Sequence, residues 1–223
     1  MAKLVWDQTG ERRYETGVNH AVMAVQDDKG VYGVSVPWNG VTKVTESPEG
    51  GEETALYADN LKYLSLYSAE NLKGTIEAYT YPDEFMECDG SAEPAPGVVV
   101  YQQDRKPFGL VYSTAIGNDT VGSSFGEKIH IIYGVRVSPS ERAYETVNES
   151  PAAITFSWAF SSTAVDMGEG LKPSALITID TTTAPADKVK ALKELLYGSE
   201  AEEAAFPTPA EVLALMGEVT PAP

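Results

Sequence analysis

Lys128 to Val137 reads KIHIIYGVRV, and the alternation in this stretch decides the fold class. Ile129, Ile131, Tyr133, Val135 and Val137 fall on one side, with Lys128, His130, Ile132 and Arg136 on the other. Successive side chains of an extended backbone leave on opposite faces, so a period of two marks a strand packed on one face. Ile154 to Ser161, ITFSWAFS, repeats the pattern: Ile154, Phe156, Trp158 and Phe160 against Thr155, Ser157, Ala159 and Ser161. Both stretches predict half-buried antiparallel strands, apolar inside and polar outside, with His130 at the surface.

Outward from this pair, Phe108–Thr114 and Ala175–Asp180 add strands, and Val18–Val25 adds another that ends at the turn signal Asp27-Asp28-Lys29-Gly30. Val31–Trp38 reads as extended, with Pro37 placing its end at a sheet edge, and Asn39-Gly40 then turns the chain into Val41–Thr45. Ser47-Pro48-Glu49-Gly50-Gly51-Glu52-Glu53-Thr54 is acidic, turn-rich and without an apolar anchor, which predicts a long mobile loop. Leu61–Tyr67 carries apolar or aromatic bulk on both faces. Thr75–Tyr81 is a strand stopped by Pro82, and an acidic turn with Asp83, Glu84, Glu87 and Asp89 follows. Ala92–Gly97 reads as a Pro-containing linker.

The chain changes character near its end. Pro185 opens a helix over about 185–197 with an apolar stripe at Val189, Leu192, Leu195 and Leu196, and Gly198 stops it. Thr208-Pro209-Ala210-Glu211 is a capping box that opens a second helix over about 209–216. The expected architecture is mainly β (α+β): an antiparallel β-sandwich or barrel with a flanking C-terminal helix. Residues 1–200 are expected to form it, with 201–223 as an extension ending in a flexible tail.

Composition narrows function. Thirty-three acids against sixteen bases leave a formal charge of −17, which disfavours a role in gripping nucleic acid. From Glu46 to Glu93 alone, twelve acids face two bases (Lys62, Lys73), or −10. Such a run is a solvated face, or a surface that a polyanion passes without sticking. With Cys88 as the single cysteine and no apolar leader in the first residues, the expected compartment is a cytoplasm. Leu4, Val5 and Trp6 form a short apolar start.

Signatures of enzymes are scarce, and the chain is expected not to be one. Gly122-Ser123-Ser124-Phe125-Gly126 has the letters of a nucleophile elbow, but a turn precedes it and a strand follows, which is a hairpin and not an elbow. His20 and His130 match no metal spacing, and the carboxylates at 83–89 lack the calcium-loop pattern. Asn148-Glu149-Ser150 is formally a glycosylation sequon. No cofactor and no metal is expected.

Several motifs carry a resemblance. Tyr14-Glu15-Thr16-Gly17-Val18, Trp38-Asn39-Gly40, Leu56-Tyr57-Ala58-Asp59-Asn60, Tyr79-Thr80-Tyr81-Pro82-Asp83-Glu84-Phe85 and Glu87-Cys88-Asp89-Gly90 are similar to major tail proteins of long-tailed, non-contractile bacteriophages. Gly117-Asn118-Asp119, Ile132-Tyr133-Gly134 and Leu196-Tyr197-Gly198 extend the likeness to about residue 215. The resemblance implies a virion protein of the tail, assembled in the host cytoplasm. Six copies would join sheets into a ring with an inner β-barrel, and rings would stack around a tape measure protein into a tube that conducts DNA without binding it specifically. A tail terminator and distal tail or baseplate proteins are the further implied partners. Local acidity and mixed faces nominate Lys62, Glu77, Tyr79, Asp83 and Glu84 as lumen residues, and Ser47–Thr54 as the ring-stacking loop.

Two other readings stay open at this point. One is a monomeric β-sandwich binding module of a virion, for carbohydrate or adhesion, with Tyr63, Tyr67, Tyr79 and Tyr81 as an aromatic platform. The other is a hydrolase that uses the acidic turn or Ser124.

Overall fold

The computed structural model of the chain describes residues 3–147, 152–168 and 170–217. The sequon at 148–150 and the tail expected to be flexible from 218 onward lie outside the described residues. The chain is mostly antiparallel β-structure with helices near its C-terminal end. Its strands are β1 (Arg13–Val25), β2 (Val36–Pro37), β3 (Val41–Glu49), β4 (Glu53–Ala58), β5 (Leu61–Tyr67), β6 (Asn71–Ala78), β7 (Ser91–Ala95), β8 (Val98–Tyr101), β9 (Phe108–Asn118), β10 (Gly122–Val137), β11 (Phe156–Ser162) and β12 (Leu176–Asp180). A 3-10 turn, Asp83–Phe85, leads into α1 (Met86–Asp89), and α2 (Ala186–Tyr197) and α3 (Pro209–Met216) close the described chain.

One large sheet runs β2-β1-β9-β10-β11-β6-β3, and β12 pairs with Lys128–Ile132 in the middle of β10. The sheet curls, so that its first and last long strands approach each other across the concave side. One core fills that concavity: Met23, Ile76, Phe108, Leu110, Ile132, Val135, Trp158 and Phe160 all belong to it. A second core lies on the convex side, where Val111, Ile129, Ile131, Tyr133 and Ile179 meet Leu192 and Leu196 of α2 and Val212 of α3. The capping box opens α3 as its letters demand: the Thr208 side chain accepts from the Glu211 N–H while Glu211 accepts from the Thr208 N–H.

Strand β10 departs from the alternation read in its sequence. Ile129, Ile131 and Tyr133 do share a face, but Val135 and Val137 turn to the opposite core and join Ile132. The cause is a register shift between Ile132 and Val135. Gly134 sits there at φ 59°, a left-handed conformation that costs a residue with a side chain more than it costs glycine. The bulge switches the phase of the strand. The other face is therefore not a polar surface, and His130 is buried rather than at the surface.

The acidic turn is also more than a surface. Its backbone winds into the 3-10 turn and α1, which buries Phe85 and Cys88 completely while Asp83 and Glu84 stay exposed. Phe85 closes one end of the concave core, with ring centroids 4.5 Å from Trp38, 5.0 Å from Trp158 and 5.6 Å from Phe108. Asp89 is buried too and ion-pairs with Arg142, whose guanidinium lies 5.0 Å from the centre of the Tyr101 ring. Burial pushes the Asp89 carboxyl up, against the pull of Arg142 and Arg105.

Candidate assembly surfaces

Two hairpins leave the body. The first continues β3 and β6. Their ladder runs to Glu49↔Asn71, and the β4–β5 ladder resumes at Glu53↔Tyr67, joined by a Ser68 N–H to Glu52 carbonyl bond of 3.1 Å. Ser47–Thr54 is thus not a long loop: Ser47–Glu49 belongs to β3 and Glu53–Thr54 to β4, and only Gly50, Gly51 and Glu52 connect them. Pairing across to β6 and β5 supplies the order that the local composition lacks. Gly50 is required at the junction, because a Cβ there would stand 2.2 Å from the Ala69 carbonyl oxygen. At the tip, Asp59 and Asn60 take φ of 50° and 65°, the two positive values of a type I′ turn, whose twist matches the strands it joins.

This arm is solvated on both faces. Tyr57, Leu61, Tyr63 and Tyr67 are each exposed by 71–72%, and Leu56, Leu64 and Leu66 are exposed as well. An isolated two-stranded ribbon is marginal in water, and one bearing this much apolar bulk presents a sticky patch with open edges. The second hairpin pairs β7 with β8 and replaces the expected linker at Ala92–Gly97. Val98, Val99, Val100 and Tyr101 form an exposed row along it.

The five lumen candidates fall in three places. Lys62 lies on the arm, ion-paired with Glu53. Glu77 lies on β6 in the main sheet, 3.2 Å from Lys43 Nζ, and Tyr79 follows just past the strand end, its N–H bonded to the Gly40 carbonyl at 2.9 Å. Asp83 and Glu84 sit beyond, on the 3-10 turn. The tyrosines divide as well: Tyr63 and Tyr67 are on the arm and Tyr79 is on the body. Tyr81 packs edge-on against Phe156 and Trp158.

The third surface is the seam between β1 and β3. At one end of the seam three strands converge on His130. Its Nε2 is 3.3 Å from Thr114 Oγ1 and 3.7 Å from Glu15 Oε1, and its Nδ1 faces Glu46 Oε1 at 3.2 Å without hydrogen-bond alignment. Tyr112 stacks on the ring at 4.6 Å and donates to Glu46. The His130 ring holds Glu46 below the ordinary glutamate range, against the effect of burial and with help from Tyr112. Lys128, 2.5 Å away, and Thr114 hold Glu15 down likewise. At the other end the seam opens into an apolar groove of about 500 Å³ between Val18–Val22 and Asn39–Val41, flanked by Leu196 and Tyr197.

Among the described residues no cluster of three or more His, Cys, Asp or Glu is placed to hold a metal, and no helix is long and apolar enough to cross a membrane. Ser124 lies on β10 beyond the β9–β10 turn, in a hairpin and not at a strand–helix elbow. The valine row of β8 and the seam groove were missed in the sequence. The run Val98-Val99-Val100-Tyr101 was the available signal for the first, and the groove had none, since it joins residues from four separate segments.

No protein-family model matches the chain, and no curated protein does. A solved structure matches at 10% identity and a TM-score of 0.31, over 72% of this chain and 88% of that one: the cryo-EM structure of an extracellular contractile injection system, the PVC sheath–tube complex in its extended state. A likeness at that score assigns no function.

Proposed function

We propose that the chain is a structural subunit that self-assembles into stacked hexameric rings, forming a phage-type tail tube through which DNA is ejected. The observation that carries this reading is the β4–β5 arm. Exposed tyrosines and leucines cover both of its faces, and its outer backbone edges have no ladder partner among the described residues. In a monomer such a ribbon is an aggregation hazard, whereas in a closed head-to-tail ring or between stacked rings it becomes a contact. The β7–β8 row supplies a second contact of the same kind. The motif resemblance supports the tube, and a formal charge of −17 suits a conduit that DNA slides through without sticking. Lys62, Glu77, Tyr79, Asp83 and Glu84 remain the lumen candidates. The stacking contact is assigned to the arm that Ser47–Thr54 leads into. A tape measure protein inside, a terminator at one end and distal tail proteins at the other are the proposed partners, in a virion tail built in the host cytoplasm. No catalytic role is assigned to any residue.

The test is negative-stain electron microscopy of the concentrated protein, alongside a variant in which residues 51–69 are replaced by a two-residue turn joining β3 to β6. Rings or tubes from the intact chain, and a folded monomer from the variant, are expected. A monodisperse monomer from the intact chain at every salt and protein concentration refutes the proposal and favours a monomeric binding module.

A further inference from the structure

We infer that His130 is a proton-dependent latch: as an imidazolium it ties β1 to β3 across the seam through Glu15 and Glu46, and as a neutral imidazole it releases one of the two. The latch is a property of the single chain and stands whether or not copies assemble.

Closure at this end of the seam is left to side chains. Strands β1 and β3 lie toward opposite ends of the strand order, and no ladder joins them among the described residues. Glu15 is paired to Ile116 of β9 and Glu46 to Gly74 of β6, each within its own part of the sheet. His130 stands between them on β10, buried, and its two ring nitrogens face different strands. Nε2 lies 3.7 Å from Glu15 Oε1, and Nδ1 lies 3.2 Å from Glu46 Oε1.

The proton count follows from the partners. Thr114 Oγ1 lies 2.5 Å from Glu15 Oε1 and 3.3 Å from His130 Nε2. A carboxylate only accepts, so the single hydroxyl hydrogen of Thr114 goes to Glu15, and its oxygen is left to accept from the ring. Every partner on the Nε2 side is then an acceptor. The Nδ1 side is alike: Glu46 is a carboxylate, and the Tyr112 hydroxyl donates its own hydrogen to Glu46. A neutral imidazole carries one N–H. Whichever nitrogen holds it, the other turns a lone pair toward oxygen lone pairs at a buried site. Only the imidazolium has a donor for each side. Nδ1 is the ring nitrogen left buried without an aligned partner, so it is the Glu46 side that the second proton completes. Tyr112 restrains the ring from swinging away, since it lies parallel at 6° with centroids 4.6 Å apart.

The surrounding charges set the range in which the latch works. Glu15 comes from β1, Glu46 from β3, and Tyr112 with the uncharged Thr114 from β9. On β10 itself Lys128 lies 2.5 Å from Glu15 Oε2, and β12 sets Thr178 opposite His130 and Asp180 opposite Lys128. The His130 ring and then Tyr112 hold Glu46 below the ordinary glutamate range against burial, and Lys128 and then Thr114 do so for Glu15. Both therefore remain carboxylates throughout the range, around pH 6.5, in which imidazoles ordinarily titrate. Glu15, Glu46, Lys128 and an imidazolium balance in charge, whereas loss of the ring proton leaves an uncompensated carboxylate facing the Nδ1 lone pair. The tie is present while the ring is charged and is lost as rising pH deprotonates it.

Hydrogen–deuterium exchange of the full-length chain, read by mass spectrometry over residues 13–16 of β1 and 44–47 of β3, tests the latch. The parent is compared with His130→Gln and Glu46→Gln at about pH 5.5 and about pH 8.5, on either side of the imidazole range, at one protein concentration. The first variant replaces the ring by an amide that is neutral at both pH values, and the second removes one carboxylate while keeping an acceptor for Tyr112. Each variant is expected to exchange at least about tenfold faster than the parent at the lower pH and within about threefold of it at the higher. The double variant is expected to exchange no faster than the single ones at the lower pH, because all three break the same tie. A variant-to-parent ratio that is equal at the two pH values, or single effects that add, overturns the inference. Should His130→Gln fail to fold, the Glu46→Gln ratio alone decides between the same two outcomes.

Discussion

Phe85→Ala tests whether the acidic turn is part of the core. The Phe85 side chain is fully buried and its ring meets four others: Trp38 at 4.5 Å, Trp158 at 5.0 Å, Phe108 at 5.6 Å and Tyr81 at 5.9 Å. Two of these contacts, with Trp158 and Phe108, are close to edge-on, the geometry in which a ring's positive rim meets a negative face. Truncation removes the transfer free energy of the ring and leaves a cavity that two tryptophans cannot collapse into without leaving their rotamers. The expected cost is about 3–5 kcal/mol, a large part of the ~5–15 kcal/mol that holds a typical domain folded. Urea denaturation followed by tryptophan fluorescence measures it directly, since Trp38 and Trp158 are the reporters. In a thermal scan the same loss lowers the midpoint by roughly 6–20 °C for a chain of this size. The exposed neighbours provide the contrast: Asp83→Asn with Glu84→Gln is expected to stay within ~0.5 kcal/mol of the parent. A Phe85→Ala cost below about 1 kcal/mol would refute the reasoning and return the turn to the surface.

Two further perturbations address buried charge. Arg142→Ala strands the Asp89 carboxylate beside Trp158 and strips a cation from the faces of Tyr101 and Phe156, for an expected loss of about 3–5 kcal/mol at neutral pH. Because burial already raises the Asp89 pKa, protonation relieves the stranded charge, so that the penalty shrinks as pH falls and Asp89→Asn in the same background restores part of it. A penalty independent of pH would remove Asp89 from the explanation. Acid has the opposite effect at the seam: Glu15 and Glu46 titrate below their ordinary range when folded, so their contribution is complete above the unfolded glutamate pKa and is lost as pH falls through the folded values. Glu46→Gln is therefore expected to lower stability at pH 7 and to flatten its decline below about pH 4.5, as read from urea midpoints across pH; an unchanged acid slope counts against the His130–Glu46 contact.

What the sequence disclosed was what neighbouring residues decide. Phe156, Trp158 and Phe160 alternate into the concave core as their spacing requires, and Val189, Leu192 and Leu196 bury the stripe of α2. The misreadings share one cause, which is partners distant in the chain. Ser47–Glu49 looks like loop by composition, yet Lys73, Leu72 and Asn71 of β6 hold it in a ladder. His130 looks like a polar-face residue until the sheet curls and brings Glu15 and Glu46 to it from opposite ends of the strand order. Gly134 gave a hint of the phase change in β10, but a glycine inside a strand announces a bulge without saying which residues it turns. The lumen candidates are nominated by local acidity and mixed faces, and the fold distributes them over an arm, an interior strand of the main sheet with its end, and a turn.

In the proposed assembly, charge and apolar surface would act over different ranges. Both faces of the main sheet are sealed within the chain, the concave side by Phe85 and its aromatic neighbours and the convex side by α2 and α3. Many of the exposed apolar groups lie on the β4–β5 arm, in the β8 row and at Leu4–Trp6. Copies that carry −17 each repel one another at a distance, and at about 0.1 M salt that repulsion fades beyond ~10 Å. An arm of two strands reaches past this range before the bodies meet. The repulsion then opposes random body-to-body collapse, while tip contacts, made by short-range burial, remain available. In the proposed assembly the carboxylates and the tyrosines on the arm would thus act at different distances: the acids keep bodies apart, and the apolar ribbon selects the contacts that are allowed.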